Sequence, residues 1–379
     1  MPFSIVIFLY IIAYCITEVM ITAAEKSSGS KSSNKILLIR SVVFLLAVGV
    51  IYYHVECVRY VDYDRMSNEM SLSLTKGVSY LFDTYSVNPL SAVPLVLVSR
   101  IGAFPLLKSV SACVYYGVLL YVARKLREKC GAFGSILSAL FFLCTVDLSY
   151  PADAIRFPIA SAIFALAYIG YFYFSFSLSK TIILMLISCL FHVSMWPFFI
   201  VFLCVLFFRR RLFLVVLSIV LLSYFQIVNS VSSLVASISP ELGWKLQLYF
   251  EIGGQHYQSL ISKEQILYLF FILICCIVLF FVKKRVLNET FGQQDICYIL
   301  YCCFVFGSVQ SNVIFPRYIP FIIFISIPIV AIFFEPYVNK GYKKKNAYIV
   351  HFAFVSFALV LVAGLVLRFA FSYVPFYIA

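Results

Sequence analysis

The sequence predicts an all-α, polytopic integral membrane protein, with about ten full transmembrane helices and one re-entrant or short-helix hairpin. Three observations carry this. First, 63% of the 379 residues are hydrophobic and 12% charged, and the mean hydropathy is +1.02; a soluble domain has about 25% charged residues. Second, the apolar residues fall in runs near the ~20 that a membrane-crossing helix needs. Third, the net charge of +13 is concentrated between those runs. Six clusters hold 18 of the 29 Lys and Arg: Lys26/Lys31/Lys35, Arg124/Lys125/Arg127/Lys129, Lys180, Arg209–Arg211, Lys283/Lys284/Arg285 and Lys340/Lys343/Lys344/Lys345. Such recurrence orients a membrane protein, with basic loops in the cytoplasm. It attracts anionic lipid and requires no nucleic acid.

Taken in order, full spans are expected at 3–24, 36–54, 104–123, 131–147, 154–177, 212–230, 265–282, 296–314, 318–334 and 347–371, within a single polytopic domain over 1–379. The run from Phe3 to Ala24 is too long for a signal-peptide core and lacks a basic leader. The stretch Lys180 to Arg211 stands apart. It is basic at both ends and interrupted by His192 and Pro197. If both ends are cytoplasmic, the chain must enter and return, and each leg is shorter than the ~20 residues of a full span. A hairpin over 181–208 follows, with His192–Pro197 at its tip. Irregular backbone at that depth must be buried in protein or line a wet cavity.

Two outer loops are long, 55–103 and 231–264. The first mixes charge with aromatic residues and reads as short amphipathic helices at the interface. The second carries Gly253-Gly254 beside His256 and Tyr257, which suits a mobile lid or a solvated connector. Most of the twelve cysteines lie inside apolar runs, so they read as small buried hydrophobes with no disulfide framework and no metal spacing.

On the outer side the charges are single. Arg59, Asp62, Asp64 and Arg65 follow the second span; Asp147, Asp153 and Arg156 bracket the start of the fifth. His192 is at the hairpin tip, and Arg317-Tyr318 open the ninth span. Each has a structural reading: Arg156 and Arg317 as snorkelling anchors, Asp153 as a local partner of Arg156, His192 as a core histidine, Trp196 as a belt aromatic, and Glu18 with Arg40 as an ion pair. Together they point elsewhere. Arginines gathered at an apolar cavity suit a membrane-embedded phosphate or pyrophosphate, because guanidinium binds phosphate bidentately and stays charged when partly buried. A histidine beside them suits acid–base work near neutral pH. There is no P-loop and no dinucleotide fingerprint, and Asp62-Tyr63-Asp64 has only the spacing of a DxD pair. A donor carried on a lipid diphosphate needs neither nucleotide site nor, necessarily, a metal.

Four stretches carry a family resemblance: Arg59 with Asp62-Tyr63-Asp64, Asp153-Ala154-Ile155-Arg156-Phe157-Pro158-Ile159-Ala160, Cys189-Leu190-Phe191-His192-Val193-Ser194, and Phe315-Pro316-Arg317-Tyr318. In order and spacing the chain resembles the EpsG/Wzy-like family of bacterial polysaccharide polymerases, which includes O-antigen polymerases of lipopolysaccharide biosynthesis. Phe157 stands where that family has a glutamine. The resemblance implies a GT-C-like membrane glycosyltransferase, without cofactor or metal, at the outer (periplasmic or exterior) face of a bacterial inner membrane. Its substrates would be undecaprenyl-diphosphate-linked oligosaccharides, and a chain-length regulator is an implied partner. By position, Arg156 and Arg317, with Arg65 or Arg59, would hold the donor diphosphate. His192 would deprotonate or orient the acceptor hydroxyl; Asp62 or Asp64 would position sugar or share the base role. Asp153, Tyr318, His256 and Tyr257 complete the substrate-binding candidates. A lipid-linked oligosaccharide flippase, an O-antigen ligase and a membrane O-acyltransferase are the alternatives.

Overall fold

The computed structural model describes residues 34–57, 62–145, 148, 150–208, 211–238, 290–309, 311, 314–339 and 376–378, with isolated positions within 12–21 and 240–276. The chain divides into two compact units, Met1–Trp196 with Ile327–Ala379, and Pro197–Ser326.

In the first unit, α1 (Asn34–Tyr53) leads into β1 (Val55–Cys57). Leu37, Phe44, Val48 and Tyr52 are buried along one stripe of α1, whereas Ile39, Val42, Leu46 and Val50 are exposed on others. A helix apolar all round with one face uncovered is what lipid contact demands. The expected interfacial loop 55–103 is three helices, α2 (Asp62–Lys76), α3 (Ser79–Thr84) and α4 (Pro89–Ile101). They share an apolar core built on Met66, Met70, Leu81, Leu95 and Val98. Helix α4 is itself apolar over Pro89–Ile101, so this region is more than a surface connector.

Helix α5 (Leu106–Thr145) corrects the expected loop at 124–130. The helix continues through Arg124–Lys129, and the interruption falls at Gly131, whose φ of 77° and ψ of 170° lie outside helical space. Glycine alone takes that conformation without steric penalty. After the single turn α6 (Tyr150–Asp153), α7 (Arg156–Tyr173) and α8 (Leu178–Phe191) form a helical hairpin. Ala160, Ser161, Ala162, Ala165 and Gly170 allow close approach. The Ser188 hydroxyl donates to the Ala160 carbonyl at 2.6 Å. At the connection the Phe176 ring lies where a Cβ on Gly170 would sit. Lys129 donates to the Tyr173 carbonyl at 3.1 Å, tying α5 to the end of α7. Residues 376–378 form β2, antiparallel to β1, a short ribbon that, among the described residues, stands beside helices alone.

Two short helices lie within the stretch expected to form a hairpin, α8 and α9 (Trp196–Phe207), of 14 and 12 residues. At 1.5 Å per residue each is about 18–21 Å long, short of the ~30 Å hydrocarbon core. The helix ends at His192, whose extended backbone (φ −151°, ψ 119°) precedes a 3₁₀ turn over Val193–Met195.

The second unit contains most of α9, α10 (Arg211–Leu222), α11 (Tyr224–Ile238), α12 (Gln293–Gly307) and the start of α13 (Ile314–Asn339). Its core is aromatic: the Phe198 ring meets those of Tyr301, Phe304, Tyr318 and Phe321 at 4.6–5.2 Å. Gly307 packs against the Leu221 carbonyl, where any Cβ would clash. The expected span 212–230 is broken at Ser223, and the span expected to reach 314 ends at Gly307. Among the described residues three stretches are long and apolar enough to cross a membrane, Ile36–Tyr53, Leu106–Lys129 and Arg156–Tyr173, with five shorter apolar helices beside them. The expected span 347–371 lies outside the described residues.

Candidate functional site

Helix α2 starts at Asp62, with Asp64 two residues on, and carboxylates in a first turn suit the positive end of the helix dipole. Its apolar side, Met66 and Met70, packs with Tyr85 and with Ile155 from the α6–α7 junction. This shared core brings Arg156, the first residue of α7, over the beginning of α2. The junction is fixed by the Ser111 hydroxyl, which donates to the Ile155 carbonyl at 3.0 Å.

The Arg156 guanidinium lies 4.8 Å from the centre of the Tyr85 ring, and its Nη2 is 3.8 Å from Asp62 Oδ2. That is an ion pair too long for a good hydrogen bond. Asp62 Oδ1 accepts from Arg65 Nη2 at 2.7 Å. Arg65 Nε is 3.8 Å from Glu69 Oε1, and the Tyr85 hydroxyl donates to Glu69. Two guanidiniums, two carboxylates and one phenol therefore form a single chain of contacts. The Arg156 side chain is only 13% exposed, and its Nε is buried with no hydrogen-bond partner among the described residues. Burial pushes the Tyr85 hydroxyl above its ordinary value, against the pull of the Arg156 charge, so the phenol stays a donor. Tyr63 is raised as well, by burial and then by Asp64.

A second element of the site is the break at His192 that ends α8. Asn88 precedes α4 and is buried; its Oδ1 accepts from the Val193 amide at 2.7 Å. His192 Nδ1 accepts from the Ser194 amide at 3.3 Å. With Nδ1 so engaged, the neutral ring carries its proton on Nε2 and presents a donor there. The ring of Phe157 stands edge-on to His192 at 5.1 Å. An aromatic contact thus occupies the position where the resembling family has an amide, and it couples the Arg156 segment to His192.

Among the sequence-predicted residues, the structure brings together Asp62, Arg65 and Arg156. Asp64 adjoins the group through Tyr63, His192 joins it through Phe157, and Asp153 ends α6 three residues before Arg156. Arg317 is in the first turn of α13 in the other unit, where Ser311 Oγ accepts from the Ile314 amide at 3.1 Å. Tyr318 is buried in that unit's aromatic core. Arg59, Asp147, His256 and Tyr257 lie outside the described residues. Three participants were missed. Glu69 and Tyr85 looked like unremarkable loop residues, since only the helical i, i+4 spacing from Arg65 signals Glu69. Lys108 is buried, donates to the Val55 carbonyl and stands 4.5 Å over the Tyr63 ring. A lysine inside an apolar run was the available signal.

The chemistry available is oxyanion binding. A guanidinium at a helix N-terminus adds its charge to the dipole's positive end, and a spare buried donor is already in place. Among the described residues there is no group of three or more His, Cys, Asp or Glu suited to a metal ion. The EpsG family matches the chain over residues 36–377. No curated protein and no solved structure matches it.

Proposed function

The chain belongs to the EpsG family, and from that premise we propose a membrane glycosyltransferase that polymerises oligosaccharide units carried on undecaprenyl diphosphate. The observation that supports this best is Arg156: nearly buried, seated at the start of α7 over Tyr85, loosely paired with Asp62, and holding an unused Nε donor. A lipid diphosphate would supply the missing acceptor and compete with Asp62 for the guanidinium. Arg65 is near enough to share the anion through Asp62. Arg317 enters this reading through its motif alone, as the family resemblance implies.

In this reading the acceptor hydroxyl attacks the anomeric carbon of the donor glycan. The bond from that carbon to the diphosphate oxygen breaks, and undecaprenyl diphosphate leaves with the electron pair. The arginines stabilise the growing negative charge on the leaving oxygen, an electrostatic role worth about 10²- to 10³-fold per donor. The acceptor proton passes to a carboxylate, Asp62 once a diphosphate has taken Arg156, or Asp64. His192, whose Nε2 is a donor when the ring is neutral, orients the acceptor or a sugar hydroxyl. The reaction belongs at the outer face of a bacterial inner membrane, the end of the bundle that carries the 55–103 helices.

The test is turnover by purified protein supplied with synthetic undecaprenyl-diphosphate repeat units, with products separated by size. A ladder of longer glycans, absent in Arg156→Ala, is the expected result. Transfer of a single unit to a foreign acceptor would assign a ligase instead. Movement of the lipid-linked unit across a liposome membrane without any ladder would assign a flippase.

A further inference from the structure

Lys108 is a buried cation to which the proposed reaction gives no role. It lies in the first turn of α5 and is only 6% exposed. Its ammonium donates to the Val55 carbonyl of β1 and stands 4.5 Å from the centre of the Tyr63 ring. A lysine is costly in this place on two counts. Burial strips the ammonium of water, and the first turn of a helix carries the positive end of the dipole, where a cation is disfavoured. A methionine would fill the same space without either cost. The carbonyl and the ring face both offset those costs.

The neighbours of Lys108 supply the reason for it. The opening turns of α5 hold several elements at once. Leu107 shares the apolar core with Met66 of α2 and with Ile155. The Ser109 hydroxyl donates to the Gly49 carbonyl of α1 at 2.7 Å. Ser111 holds the Ile155 carbonyl, and with it the start of α7. Lys108 adds the remaining side. Through Tyr63 it holds the first turn of α2, where Asp62 and Asp64 flank that ring in sequence. One helix end therefore fixes both halves of the Asp62–Arg156 pair, which stand 3.8 Å apart. Ser111 sets the guanidinium side and Lys108 the carboxylate side.

We propose that Lys108 is a positioning residue of the candidate site, which through the Tyr63 ring holds Asp62 and Asp64 in place against Arg156. Its effect on turnover rests on the polymerase reading; its hold on Tyr63 does not. Lys108→Met, Lys108→Arg, Tyr63→Leu and the Lys108→Met/Tyr63→Leu double variant are compared with wild type as purified full-length protein. Turnover of synthetic undecaprenyl-diphosphate repeat units, affinity for undecaprenyl diphosphate and thermal unfolding are measured on each. Lys108→Met is expected to lower kcat about 10- to 100-fold, the scale of a slightly misplaced catalytic group. It is expected to keep its affinity for undecaprenyl diphosphate, because Arg156 is fixed through Ser111. Lys108→Arg retains a donor and a cation for the ring, and is expected to recover most of the loss. The double variant is expected to be no slower than Lys108→Met, since both changes cut the same link. A general loss of fold would instead lower kcat and affinity together. The proposal is overturned by wild-type kcat in Lys108→Met, by joint loss of kcat and affinity, by Lys108→Arg no better than Lys108→Met, or by losses that multiply in the double variant. Should Lys108→Met not fold, Tyr63→Leu carries the test, with the same split expected and a wild-type kcat overturning the proposal. If wild type yields no ladder of longer glycans, the polymerase reading fails and thermal unfolding decides the hold on Tyr63. Coupled shifts in the Lys108–Tyr63 cycle then support it, and additive shifts overturn it.

Discussion

Arg156 combines three properties: a largely buried side chain, a position at a helix N-terminus, and an unused donor. Each raises the energy of the unliganded state, and an oxyanion relieves all three at once. Replacement by lysine keeps the charge but loses the planar fork. Arg156→Lys is therefore expected to cut turnover by about 10²-fold or more, on the scale of one lost transition-state donor, while the protein still inserts and purifies. Tyr85→Phe removes the hydrogen bond to Glu69 and keeps the ring under Arg156. A cost of about 1 kcal/mol in thermal unfolding is expected. Because burial raises the Tyr85 hydroxyl above its ordinary ~10, the contribution it makes is complete below that pH. It is lost only as the pH climbs through the raised value, so the wild-type advantage over Tyr85→Phe should be flat through neutrality and shrink under strong alkali. For His192, glutamine retains a donor near the Nε2 position and alanine does not. His192→Gln should keep much more turnover than His192→Ala; equal loss in both would favour a base role for the ring.

Among helices and turns, the legible features were those written in local sequence. The break at His192 followed from basic residues at both ends of a stretch too short to be two full spans, and the structure places α8 and α9 on either side of it. The Glu18–Arg40 pair was readable as two opposite charges in neighbouring spans. What could not be read was long-range. Asn88 and Val193 are 105 residues apart in sequence, and nothing local indicates that a residue before α4 seats the turn after His192. Likewise Arg127 looked like one of a loop cluster, because the helix does not end where the charges begin but at Gly131, which supplies the interruption. Asn88→Ala strands the Val193 amide and is expected to destabilise by about 1–3 kcal/mol. It should also lower turnover through a misplaced His192, with Asn88→Asp, which retains the acceptor, recovering more than Ala.

For the molecule as a whole, membership of the EpsG family and the apolar helices define a membrane protein of the polysaccharide polymerase type. Charge distribution gave the class, since single charges gathered apart from the basic clusters. The motif stretches name candidate residues, and packing brings some of them together: the core shared by α2, α3 and α4 holds Asp62 and Tyr85 against the start of α7. The central claim is that this group holds a lipid diphosphate. The most direct measurement is the affinity of purified protein for undecaprenyl diphosphate, compared among wild type, Arg156→Ala, Arg156→Lys and Arg100→Ala, an exposed arginine at the end of α4. Both Arg156 variants are expected to bind at least about tenfold more weakly, or 1.4 kcal/mol, with Arg100→Ala unchanged. Wild-type affinity in both Arg156 variants would contradict diphosphate binding at this site.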